Sequence, residues 1–128
     1  MSGPGDTAGA PAVEPAEAER RLREAAGTPG GPLAVDVREP NELISGRIDG
    51  ALFLPMSEFQ ARFRQLPADR QLLIVCQSGY RSGLAATFLA ANGYREAVNV
   101  AGGMTAWQQA GLPVRRGPVA PDEGIPLG

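Results

Sequence analysis

Short aliphatic runs alternate with amphipathic segments through the middle of the chain. Over residues 14–26 the spacing predicts a helix. Pro15 suits its first turn, acidic Glu14, Glu17 and Glu19 precede basic Arg20, Arg21 and Arg23, and Ala18, Leu22, Ala25 and Ala26 share one face. Residues 33–37 read as a strand, after which Pro40 starts a short helix carrying Leu43 and Ile44 that Gly46 closes. Residues 51–54 give a second strand. Ser57 with Gln60 three places on has the pattern of a capping box, Met56 can staple over it, and Phe59, Phe63 and Leu66 form one stripe before Pro67. A helix is predicted there. Residues 72–76 are a continuous apolar run of strand length, the signature of a central strand buried on both faces. Leu84, Ala85, Phe88 and Leu89 predict the next helix, which Asn92-Gly93 stops, and residues 97–100 predict a fourth strand. A last helix holds Met104 and Trp107, ending at Gly111 with Pro113 beyond.

This alternation of strand and helix implies an α/β fold. Parallel strands need crossover connections, so the chain should form a central parallel sheet of four to five strands with helices on both faces, a three-layer sandwich. Residues 1–12 and 115–128 are rich in Gly, Pro and Ala and lack apolar periodicity, so both are expected to be flexible tails around one folded domain at 13–114.

Composition narrows the chemistry. The 128 residues are 43% hydrophobic and suit one domain with one core. A formal charge of −2 with 5% aromatic residues gives no basic, aromatic-laced surface for a nucleic acid. Cys76 is the single cysteine and there is no histidine, so neither an intrachain disulfide nor a Cys/His metal site is expected, and no cofactor is called for. The opening residues lack a signal-peptide pattern and no apolar run approaches the ~20 residues needed to span a bilayer, so a cytoplasmic protein with no membrane partner is expected.

The candidate chemistry lies at the end of the central strand. In an open parallel sheet, ligands bind beyond the carboxyl ends of the strands, where loops feed helix N-termini. Cys76-Gln77-Ser78-Gly79-Tyr80-Arg81-Ser82 is such a loop. Its successive backbone N–H groups can turn inward as a cradle for an anion, with Gly79 supplying the conformational freedom. A helix N-terminus and a neighbouring cation such as Arg81 lower a thiol's pKa and make it nucleophilic at neutral pH. A cysteine ending an apolar strand is also often a small buried hydrophobe, and Arg81 could be a structural charge paired with an acid such as Asp36. The glycine-bearing loop argues for chemistry, because its amides need an acceptor.

Four segments, in order, carry a family resemblance. The loop CQSGYRS resembles the Cys-x-x-Gly-x-Arg-Ser loop of rhodanese domains. Asp36-Val37-Arg38-Glu39 is similar to the family's Asp-Val-Arg signature, and Gly46-Arg47-Ile48-Asp49-Gly50-Ala51 to its Gly-His-Ile-Pro-Gly-Ala segment. Ala101-Gly102-Gly103-Met104-Thr105-Ala106-Trp107 resembles its Gly-Gly segment with a following Ala-Trp. Arg47 and Asp49 depart from the family's histidine and proline, and Arg47 is expected to add positive potential. Gln77 and Ser78 replace the paired basic residues of thiosulfate-preferring members, which leaves anion capture to backbone amides and Arg81.

The resemblance implies a sulfurtransferase or sulfur carrier. Cys76 would accept a sulfane sulfur from thiosulfate or another persulfide donor, hold it as a persulfide in a loop made by Gln77, Ser78, Gly79, Tyr80, Arg81 and Ser82, and pass it to cyanide or a thiol. Asp36, Arg38 and Arg47 would support the site, and a sulfur-relay protein would be a partner. Two other readings stand beside it. A noncatalytic rhodanese-like binding module would use the same fold without the chemistry. A cysteine phosphatase would use Cys-x5-Arg, one residue longer than the Cys-x4-Arg present here.

Overall fold

The computed structural model of the protein describes residues 10–125; the outer parts of the two predicted tails lie outside them. Five parallel strands form one sheet in the order β1-β5-β4-β2-β3: β1 (Ala12–Val13), β2 (Leu33–Asp36), β3 (Leu52–Phe53), β4 (Leu72–Val75) and β5 (Ala97–Val100). The helices are α1 (Pro15–Glu24), α2 (Pro40–Leu43), α3 (Phe59–Arg62), α4 (Tyr80–Ala91) and α5 (Gly103–Gln109).

Period-2 alternation in β4 builds two cores. Leu72 and Ile74, with Cys76 just beyond, face one side, where they pack with Phe59 and Phe63 and with Ala85, Ala86 and Leu89 of α4. Leu73 and Val75 face the other and pack with Ala18 of α1 and with Met104 and Trp107 of α5. All four β4 residues are fully buried, which explains the unbroken apolar run. The expected three layers, with helices on both faces, are the observed architecture.

Local details depart from expectation. Val13 was read as the first residue of the domain; with Ala12 it forms a further strand, pairing with Asn99 and Val100. The helix predicted from Ser57 to Leu66 is instead three short turns, 3₁₀ at Met56–Glu58 and Phe63–Gln65 around α3. Ser57 does not cap it: its hydroxyl donates to the Glu39 carboxylate at 2.8 Å, drawn to an acceptor on another element. The capping box that does form joins Glu39 and Glu42 in α2. Leu84, expected on the buried face of α4, is exposed, and so is Ile44.

The segment after Val114, expected to be a tail, is held to the domain as far as the structure describes it. Arg47 and Arg115 exchange backbone hydrogen bonds at 2.9 and 2.8 Å, and the Gly117 amide donates to the Ile44 carbonyl. The Arg47 guanidinium, wholly buried, ion-pairs with Glu123 and donates to the carbonyls of Leu43 and Gly117. Phe53 donates its amide to the Gly124 carbonyl at 2.7 Å. Composition suggested a lack of burial; the segment is anchored by polar contacts to distant residues.

Candidate active site

Central strand β4 carries Cys76 to its carboxyl end, between β2 and β5. Gly79, at a φ of +100°, turns the chain from strand into α4, a conformation that favours glycine. The resulting ring places hydrogen-bond donors on the sulfur: the Gly79 amide lies 3.1 Å from Cys76 Sγ and the Ser82 hydroxyl 3.2 Å. Burial pushes the Cys76 thiol up, but the Ser82 hydroxyl and the amides of Ser82, Gly79 and Ser78 together outweigh it and hold the thiol below its ordinary value. Cys76 is 0% exposed, so a reacting partner must bring its own atom into the ring.

The ring rests on α5. The amides of Met104 and Thr105 donate to the carbonyls of Cys76 and Gln77 at 2.8 and 3.0 Å, so the first turn of α5 finds acceptors in the loop itself. This approach is possible because Gly103 has no side chain. A Cβ there would stand 2.4 Å from the Cys76 carbonyl oxygen, and the residue's φ is +61°.

Side chains from β2, the loop after it, α2, β5 and α5 fix the rest. Asp36 at the end of β2 binds the Arg38 guanidinium through both carboxylate oxygens, and Arg38 passes the contact on to Gln77 Oε1 at 3.1 Å. Gln77 Nε2 in turn donates to Thr105 Oγ1. Asn99 of β5 accepts from the Ser82 hydroxyl at 2.6 Å and donates through Nδ2 to the Gly79 carbonyl at 3.1 Å. Arg81 is clamped by Glu42, each of its terminal nitrogens 2.8 Å from one carboxylate oxygen. That clamp holds the Glu42 carboxyl far below the usual carboxylate range, down to about 2, and raises Arg81 above its ordinary value.

The sequence-predicted residues therefore divide. Cys76, Gln77, Ser78, Gly79, Arg81 and Ser82 are brought together, and Tyr80, 72% exposed, opens α4. Arg38 reaches the loop through Gln77. Asp36 is not the partner of Arg81: both of its carboxylate oxygens are spent on Arg38, and Arg81 pairs with Glu42 of α2 instead. Arg47 adds no potential to the loop, since it is buried and neutralised by Glu123. Glu42 and Asn99 were missed. Asn99 had a signal, being the one polar residue in the apolar run Ala97–Val100; Glu42 had none in its local pattern.

Comparison with known proteins adds four findings. The family model described as Rhodanese-like domain matches residues 14–110. A sulfurtransferase from Allochromatium vinosum is 42% identical over 90 residues, which span 70% of this chain and 80% of that protein. An HTH-type transcriptional regulator from Mycobacterium tuberculosis is 36% identical over 126 residues, 96% of this chain, but the chain spans only half of that longer protein. Among solved structures, a rhodanese-related protein from Thermoplasma volcanium superposes with a TM-score of 0.70 at 31% identity, covering 82% of this chain and 97% of the other.

Proposed function

We propose, for a chain that belongs to the Rhodanese-like domain family, that it is a sulfurtransferase or sulfur carrier that moves a sulfane sulfur through a persulfide on Cys76. The observation that carries this reading is the pair of donors, Gly79 amide and Ser82 hydroxyl, aimed at Sγ inside a closed ring of backbone. The relationship to a sulfurtransferase supports a general role in sulfur transfer.

The first step is attack by the Cys76 thiolate on the outer sulfur of thiosulfate or of a persulfide. A Cys76 S–S bond forms, the donor's own S–S bond breaks, and sulfite or a thiolate leaves with the bonding pair. The new terminal sulfur carries the negative charge where loop amides converge, and their orientation is set before reaction by α4 and α5. In the second step cyanide or a thiol attacks that terminal sulfur and the Cys76 thiolate returns. No general base is required when the thiolate is already formed, which accords with a chain that lacks histidine. Neither step calls on a cofactor. A reactive single thiol of this kind suits the reducing cytoplasm, and a sulfur-relay protein is a natural acceptor.

Intact mass measured after incubation with thiosulfate or a persulfide tests the reading. The protein should gain one sulfur atom, lost again on addition of cyanide, and Cys76→Ser should gain none. An unchanged mass with every donor tried would end the proposal.

A further inference from the structure

The loop's charge is cancelled from outside the loop. Gln77, Ser78, Gly79, Tyr80 and Ser82 are uncharged, so Arg81 is the ring's own cation, and its charge and that of the Cys76 thiolate attract each other. Yet Arg81 meets the Glu42 carboxylate fork to fork, with both contacts at 2.8 Å. Glu42 is held in turn: the Glu39 amide donates to Oε2 at 2.9 Å, which fixes the carboxylate on α2. The other guanidinium that reaches the loop, Arg38, is matched by Asp36 and engages the carbonyls of Glu42 and Gly46. Two cations thus face two carboxylates, and the Arg81–Glu42 pair remains partly exposed at the surface, with side chains 33% and 26% accessible.

This arrangement bears on which donor can approach. A thiolate repels an incoming anion in proportion to the anion's charge, so a dianion suffers twice the repulsion of a monoanion unless a net positive field offsets it. A free Arg81 would supply that field; a clamped one does not. Resting on the sulfur-transfer reading above, we propose that Glu42 is a specificity-determining residue. By cancelling Arg81 beside the nucleophile, it selects the singly charged persulfide of a small thiol over dianionic thiosulfate as the sulfur donor. With the persulfide R–S–S⁻, Cys76–S⁻ bonds to the terminal sulfur, the donor's S–S bond breaks, and R–S⁻ departs with the electron pair, leaving Cys76–S–S⁻. With thiosulfate the same exchange expels sulfite as a dianion. Charge and atoms balance in both, and no oxidant or reductant enters.

The test compares loading of Cys76 by thiosulfate and by cysteine persulfide, followed by intact mass in single turnover at low and high salt. Wild type, E42Q and E42D are run side by side, with Cys76→Ser as blank. Wild type should load faster from cysteine persulfide, and its thiosulfate rate should stay level or rise with salt. E42Q keeps the shape and removes the charge, so its thiosulfate-to-persulfide rate ratio should rise at least about fivefold, with thiosulfate loading now falling as salt increases. E42D keeps the charge and alters the reach, so it should hold the wild-type ratio even where both rates drop. An unchanged ratio in E42Q, or an equal shift in E42D, would overturn the assignment while leaving sulfur transfer intact. Should E42Q not fold, a wild-type thiosulfate rate that falls steeply with salt overturns it instead, because it reveals an uncancelled cation. Failure of wild type to gain sulfur from either donor sinks the sulfur-transfer reading itself.

Discussion

Ser82 and Asn99 are joined by a 2.6 Å contact between hydroxyl and amide oxygen, and through it β5 governs the proton that faces Cys76. The serine has one proton and two neighbours, Asn99 Oδ1 and Cys76 Sγ. With Sγ protonated, the thiol can donate to Ser82 while Ser82 donates to Asn99. With Sγ ionised, the serine proton turns to the sulfur. Ser82→Ala removes that adjustable donor, so the Cys76 thiol should rise from its lowered position. Iodoacetamide alkylation followed against pH should show a midpoint higher than wild type, and sulfur loading at neutral pH should slow; an unmoved midpoint would show that the loop amides suffice.

Cys76→Ser should abolish thiosulfate:cyanide sulfur transfer and leave the fold in place, since the hydroxyl keeps the shape but is a far weaker nucleophile. Enzyme assay beside circular dichroism and urea unfolding separates the two effects. Activity retained in the variant would place the chemistry elsewhere.

Gly103→Ala should be costly out of proportion to one methyl group. Its Cβ would meet the Cys76 carbonyl oxygen at 2.4 Å and the Gln77 carbon at 2.6 Å, on a backbone at a φ of +61°. A loss of about 2–4 kcal/mol is expected from strain and displacement of α5. The urea midpoint should fall together with sulfur-transfer rate, because the same contact seats the nucleophile; a stable variant with full activity would contradict this.

Glu123→Gln should destabilise the protein through a residue far in sequence from its partner. Arg47 is wholly buried and would keep its charge without the carboxylate, a loss of roughly 1–3 kcal/mol. The Arg47 hydrogen bond holds the Glu123 carboxyl below its ordinary value. Its stabilisation is therefore complete above the ordinary carboxylate range and is lost as pH falls through the depressed folded value. Melting temperature against pH should show wild type above the variant at neutral pH and the two curves meeting in acid. Parallel curves throughout would rule out the ion pair as the source.

The parts of this molecule that could be read from sequence are those whose causes are local. An unbroken apolar run announced β4, and a small-residue loop between strand and helix announced the ring around Cys76. What escaped was set by contacts across the sheet. Arg81 chose Glu42, 39 residues away, over Asp36, and Ser57 chose Glu39 over capping its own helix. The Gly- and Pro-rich end looked too poor in apolar burial to be ordered because its anchor, Arg47, lies 76 residues from Glu123. Patterns of period and composition describe what a segment can bury against a generic core; they do not identify a specific acceptor on another element.

The carboxyl-terminal segment also alters what the molecule presents to its own copies. β3 is the last strand on its side of the sheet and has β2 as its strand neighbour. A bare strand in that place is a template for pairing with another chain. The Gly124 carbonyl already occupies the Phe53 amide, and Gly124 sits so close to the Phe53 ring that a Cβ would stand 2.2 Å from it. The polypeptide thereby covers its own exposed ladder. A protein cut after Val114 would uncover that margin and strip the buried Arg47 of Glu123 at once, so its defect would appear as concentration-dependent aggregation together with lost stability.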